Sequence, residues 1–236
     1  MKKTANKKSW IKVLIWCIAI LVLLVNYFMN PGTEDAPHAV SLQEIPAFSG
    51  EPYVVIGDNQ PGFDEEDITT ASYEFYSELD SLGRCGYTMA CIGRDLMPTE
   101  ERGEIGQVKP SGWQQGKYDF VDGKYLYNRC HLIGFQLTGE NANERNLITG
   151  TRYMNTEGML PFENMVADYI KETGNHVLYR VTPIFQGNEL VARGVQLEAY
   201  SVEDSGEGIC FHVYVYNNQP GVTIDYATGN NWLEKN

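Results

Sequence analysis

Hydrophobic and polar positions divide the chain unevenly. From Ile11 to Phe28, 16 of 18 residues are apolar, with only Lys12 and Asn26 interrupting, and Lys2, Lys3, Lys7 and Lys8 stand ahead of the run. As a helix this run would rise about 27 Å, close to the hydrocarbon thickness of a bilayer. No A-x-A pattern lies between Asn26 and Val40, and no lipobox surrounds Cys17. An uncleaved transmembrane signal anchor is therefore expected over residues 1–29, against the alternative of a cleaved signal peptide. The lysines place its short tip in the cytoplasm and everything after it outside, at the cell membrane. Residues 30–50, with Pro31, Pro37 and Pro46, read as a linker or stalk, which leaves 51–236 as an extracytoplasmic domain.

Within that domain the period changes along the chain. Pro52 to Ile56 and Tyr87 to Ile92 read as short strands. Asp64 to Leu79, with Ile68, Ala71, Phe75 and Leu79 at helical spacing after an acidic start, predicts a helix. Lys124 to Gln136 and Asn146 to Thr149 are strand-like. Asn155 to Thr173 predicts a helix on Met159, Phe162, Val166 and Ile170, stopped by Gly174, with Pro161 in its first turn or at a kink. His176 to Phe185, Glu189 to Tyr200 and Ile209 to Tyr216 follow as strands, the first two joined by a turn at Gln186-Gly187-Asn188. Two strands, a helix and then antiparallel strands make an α+β fold.

Charge argues against a generally cationic binding surface. Five of the 18 Lys and Arg, and none of the 31 acids, lie in residues 1–30, so the remainder carries 13 basic against 31 acidic side chains, a net of −18. A polyanionic partner is compatible with that average only through a local cationic cleft and a metal ion. Cys85, Cys91, Cys130 and Cys210 fall in the outer part, where disulfides are permitted; three pairings are open, as are free thiols. No CxxC pair supports a zinc ribbon.

The candidate chemistry is concentrated in one stretch. Asn128-Arg129-Cys130-His131 ends a strand pattern, and Asn146, Asn155 and Glu163 follow it. Phosphodiester hydrolysis needs a base for water and a cation for the charge on phosphate oxygens. Histidine supplies the first near neutral pH, and an amide oxygen is a hard ligand for Mg²⁺. By themselves the residues have plainer readings: His131 as a structural imidazole, Asn155 as a helix cap, Glu163 as a solvated helix residue. Arg145 and Arg152 serve equally as phosphate contacts or as surface ion pairs. His38, His176 and His212 read as structural or solvated.

The spacing of these elements resembles the DNA/RNA non-specific endonucleases of the ββα-metal type, especially bacterial DNA-entry nucleases. Their signature Asp-Arg-Gly-His, followed by two asparagines and a glutamate, corresponds to Asn128-Arg129-Cys130-His131, Asn146, Asn155 and Glu163. The resemblance is strong over about residues 124–170 and weaker from about 84 to 229. It implies a ββα-metal core on a mixed or antiparallel sheet, acting on DNA and RNA without sequence preference. It also implies His131 as general base, Asn155 as the one direct protein ligand of Mg²⁺ (or Mn²⁺), Asn146 orienting the His131 ring, and Glu163 holding metal waters. Arg129 would face phosphate, and cleavage would leave 5′-phosphate ends. Two departures stand out: Asn128 replaces Asp, and Cys130 replaces Gly, so that the turn there must tolerate a Cβ or be pinned by a disulfide, with Cys210 as one partner. The competing readings are a non-catalytic surface module that keeps the fold, and a phosphodiesterase for small or cell-wall substrates.

Overall fold

The computed structural model describes Trp16 and residues 38–235. The expected membrane span lies outside the described residues, apart from Trp16. Among those described, no helix is long and apolar enough to cross a membrane.

Residues 38–235 are built on a six-stranded antiparallel sheet of order β1-β8-β7-β6-β3-β2. Its members are β1 (Tyr53–Val55), β2 (Tyr73–Tyr76), β3 (Thr88–Ile92), β6 (Val177–Ile184), β7 (Gly194–Ser201) and β8 (Cys210–Tyr216). Two hairpins lie apart from it: β4 (Tyr127–His131) with β5 (Leu147–Thr151), and β9 (Val222–Ile224) with β10 (Asn231–Leu233). The helices are α1 (Phe135–Thr138) and α2 (Leu160–Thr173), the latter entered through a π-helical turn at Met154–Met159.

Alternation along the strands sets the two faces. Val177, Tyr179 and Val181 of β6, Val195, Leu197 and Ala199 of β7, and Phe211, Val213 and Val215 of β8 pack against Phe162, Val166, Ala167 and Ile170 of α2 in the main core. Gly158 lets the helical entry approach β8, since a Cβ there would lie 2.3 Å from a Val215 methyl. The helix ends at Gly174, in the left-handed conformation at φ 78°, whose N–H donates to the Ile170 carbonyl.

Two expectations fail here. Asp64 to Leu79 is not a helix: an Asp64–Asp67 turn precedes β2, whose aromatic residues pair in register with β3. Tyr73-Glu74-Phe75-Tyr76 favours a pleated surface, and pairing along β3 outweighs the helical spacing. Residues 38–50 are not a free stalk. Val40, Leu42, Ile45 and Phe48 pack over Ile184, Tyr214 and Tyr216 on the sheet face opposite α2. The Val40 N–H donates to Gln196 Oε1, and the Tyr216 hydroxyl donates to the Pro46 carbonyl.

The four described cysteines are free thiols, so neither a Cys85–Cys91 nor a Cys130–Cys210 bridge is formed. Cys85 points its thiol at the Glu144 and Leu147 carbonyls. Cys130 lies in mid-strand, not in a turn. Its extra bulk is accommodated by Gly150 on β5, where a Cβ would sit 2.4 Å from the Cys130 sulfur.

Candidate active site

The site is assembled by the β4–β5 hairpin and the helix that follows. β4 carries Asn128, Arg129 and His131. β5 runs into helix within a few residues, with the Thr151 hydroxyl accepting from the Met154 N–H at 3.0 Å. Pro161 has no N–H, and its ring crowds the carbonyl four residues back, so a regular α-turn is disfavoured there. The chain takes a wider turn in which the Leu160 N–H reaches the Asn155 carbonyl. Asn155 is thereby inside the helical run rather than at its cap, and its side-chain amide engages no hydrogen-bond partner among the described residues.

His131, Asn155, Glu163, Arg129 and Arg152 line one open cleft of about 710 Å³. His131 and Asn155 thus border the same cleft. Arg145 is not part of it: its guanidinium pairs with Glu78 at 2.6 Å, away from the cleft lining. Arg152 lines the cleft while gripping Asp122 through Nε and Nη2. Arg129 stacks on Trp113, 4.2 Å from the ring centroid, and donates to the Gly106 and Val108 carbonyls.

A residue that sequence reasoning missed completes the set. Arg102, in the loop after β3, places Nη2 3.3 Å from His131 Nδ1 and lines the same cleft. It sits among Glu100, Glu101 and Glu104 with no periodicity or motif to mark it. The lining thus holds three arginines against one carboxylate, the local reversal of sign that an acidic chain needs to bind phosphate.

The neighbours of His131 fix its tautomer. Nε2 lies 2.8 Å from the Asn141 carbonyl, which only accepts, and Nδ1 faces Arg102, which only donates. Nε2 therefore carries the proton, and Nδ1 presents its lone pair to the cleft. Burial lowers the pKa to about 4, opposed by the Asn141 carbonyl and reinforced by Arg102, so the ring is neutral at pH 7. Asn146, expected to orient this ring, does something else. It is fully buried and clamps the Ile133 backbone, accepting from its N–H and donating to its carbonyl, both at 2.9 Å. Asn146 fixes the turn after β4, and the ring itself is held by Asn141.

Glu163, in the first turn of α2, lies under Gly134, where a Cβ would come within 2.6 Å of its carboxylate. Burial raises its pKa to about 7, only partly offset by Gln136 and Arg102. Asn128 also lines the cleft, and its Nδ2 is buried without a partner among the described residues. The unengaged Asn155 amide and the Glu163 carboxylate, both bordering the cleft, are oxygen donors of the kind a hard divalent cation takes. No group of three His, Cys, Asp or Glu that could hold a metal occurs among the described residues, so a cation here would rely on Asn155, with Glu163 placed to accept from its waters.

The chain is similar to known nucleases. Residues 65–203 match the family model of the DNA/RNA non-specific endonuclease. A deoxyribonuclease of Streptococcus dysgalactiae subsp. equisimilis is 33% identical over 111 residues, 44% of this chain and 32% of that protein; the chain spans about a third of the relative's length. NucA from Streptococcus agalactiae, solved with magnesium bound, superposes with a TM-score of 0.66 at 26% identity, over 75% of this chain and 84% of NucA. Sda1 nuclease, solved with zinc bound, gives 0.66 at 28% identity, over 79% and 97% of the two chains. With a family match over more than half its length and its proposed site residues inside the matched segment, the chain belongs to the DNA/RNA non-specific endonuclease family.

Proposed function

We propose that this protein is a metal-dependent endonuclease that hydrolyses phosphodiester bonds of DNA and RNA without sequence preference, leaving 5′-phosphate ends. The observation that carries the reading is that His131, its Nδ1 facing Arg102, and the unengaged Asn155 amide border the same arginine-lined cleft. Asn155 would hold a single Mg²⁺, with Glu163 accepting from its waters; Mn²⁺ would serve in the same place. When bound, the cation supplies positive charge to the phosphate oxygens.

The chain's own residues divide the remaining work. His131 Nδ1 accepts a proton from the attacking water, and the resulting Nε2–H ring stays aimed by the Asn141 carbonyl. Arg102 must leave Nδ1 for this to happen, and a phosphate entering the cleft is the anion that draws its guanidinium away. Arg129 and Arg152 grip the backbone of the strand, so base identity is not read. The apolar run at residues 11–28 supports a catalytic domain held on the outer side of the cell membrane, with nucleic acid as the partner.

Incubation of the purified full-length chain with supercoiled plasmid tests this. Degradation is expected with Mg²⁺ and none with EDTA, and His131→Ala should lower the rate by about 100-fold or more. Cutting by that variant at the wild-type rate would falsify the mechanism. Binding of plasmid with no turnover in either Mg²⁺ or Mn²⁺ would favour a non-catalytic module instead.

A further inference from the structure

Beside the cleft stands an aromatic rim that hydrolysis at the phosphate does not require. Tyr125, Leu126 and Tyr127 alternate so that Leu126 is fully buried while both tyrosines border the cleft. Tyr127 is buried and donates its hydroxyl to the Gly229 carbonyl. Tyr125 is left 49% exposed. The Lys117 ammonium lies 4.6 Å from the Tyr125 ring centroid. Trp113 borders the same cleft, with the Arg129 guanidinium on its ring.

This rim is held by backbone, not left to side-chain chance. The Tyr118 N–H donates to the Lys124 carbonyl at 2.9 Å, the Lys124 N–H to Val121 at 2.8 Å, and the Leu126 N–H to Gly116 at 3.0 Å. The turn is completed by Gly123 and Lys124 at φ 70° and 68°. A conformation that costs a lysine its preferred backbone region, in order to present a half-exposed tyrosine at a cleft mouth, calls for an occupant.

We propose that Tyr125 and Trp113 receive unstacked bases next to the scissile phosphate, so that the preferred substrate is single-stranded nucleic acid. The inference rests on the nuclease reading and deepens it. Three arginines line the same cleft and anchor phosphate, which brings the bases of that strand within reach of the aromatic residues that share its lining. An aromatic ring with a cation nearby takes any base by its π-face, without reading its edge. A duplex keeps those faces stacked inside the helix and gains nothing from the rim unless it is locally opened. A protein partner is disfavoured because the rim runs directly into the cationic cleft.

The test measures binding and cutting separately. In the His131→Ala chain with Mg²⁺, anisotropy compares a short oligothymidylate, an abasic strand of equal length and a duplex. The oligothymidylate should bind tightest. Adding Tyr125→Ala should weaken it by about fivefold or more while leaving the abasic strand unchanged, and Tyr125→Phe should retain the affinity. An equal loss for both strands, or no loss for either, overturns the proposal, as does failure of any strand to bind. With His131 intact, Tyr125→Ala should lower kcat/KM on single strands more than on duplex. An intact chain that cuts neither substrate ends the nuclease reading, and the binding series still decides the rim on its own.

Discussion

The charge state of His131 is set first by burial, which lowers its pKa, and then by contacts from outside its own strand. Arg102, 3.3 Å away, lowers the pKa further, and the Asn141 carbonyl fixes the tautomer. Arg102→Gln should therefore raise the His131 pKa, read by NMR titration of the ring protons. It should also slow plasmid cleavage by about 100-fold, through loss of a charge-assisted contact to phosphate. No change in either would remove Arg102 from the site. Glu163 and His131 have opposite linkage. The Glu163 pKa is raised from 4.5 to about 7, so its contribution to stability is complete below about pH 4.5 and is lost as pH rises through about 7. The His131 pKa is lowered from 6.5 to about 4, so its contribution is complete above about pH 6.5 and is lost as pH falls through about 4. In EDTA, Glu163→Gln should remove the loss on the alkaline side, seen as a smaller fall in Tm between pH 5 and pH 8 than in the parent. A parallel fall in both proteins would contradict the assignment.

At the scale of elements, the site includes two close approaches made at glycines. Gly158 brings the π-helical turn against Val215 of β8, which positions Asn155. Gly158→Ala should cost about 1–3 kcal/mol by overpacking and reduce cleavage, and adding Val215→Ala should restore much of the activity by making room. If the double variant is no better than the single, the turn is positioned by something else. Gly134 plays a comparable part over the Glu163 carboxylate. Gly134→Ala should impair Mg²⁺-dependent cleavage well beyond its effect on denaturant stability, because it pushes at the carboxylate rather than at the core.

At the scale of the whole domain, residues 38–50 belong to the folded unit. Its apolar residues cover Ile184, Tyr214 and Tyr216, and it is tied to Gln196 by hydrogen bonds in both directions. A chain beginning at residue 51 should expose that face and unfold at a distinctly lower denaturant concentration than one beginning at residue 38. Equal midpoints would restore the stalk reading. The sheet face beneath also buries the Arg180–Glu198 pair, in which Arg180 Nε donates to Glu198 at 2.8 Å and Arg180 Nη2 to the Gly62 carbonyl. The 57–63 loop is thereby held over the sheet.

Much of this was legible in the chain. The strands between His176 and Tyr216 and the helix ending at Gly174 follow from period and turn residues, because those signals are local, although β7 starts at Gly194 rather than Glu189; the grouping of His131, Asn155, Glu163 and Arg129 is what the family resemblance implied. The β2 strand was misread since a four-residue aromatic strand takes its conformation from β3, a partner remote from it in sequence until the sheet forms. Arg102 and the Asn141 carbonyl were invisible because a loop arginine and a backbone oxygen carry no pattern; only the folded loop brings them to the imidazole. Asn146 was given the wrong partner for the same reason, its amide closing on the Ile133 backbone instead of the ring. What the sequence determined by itself was the set of groups able to do phosphate chemistry and the elements that carry them. The tertiary structure alone decided which ring nitrogen carries the proton, which arginine stands beside the other, and where an acidic chain becomes cationic, since each depends on distances between residues that chain order does not bring together.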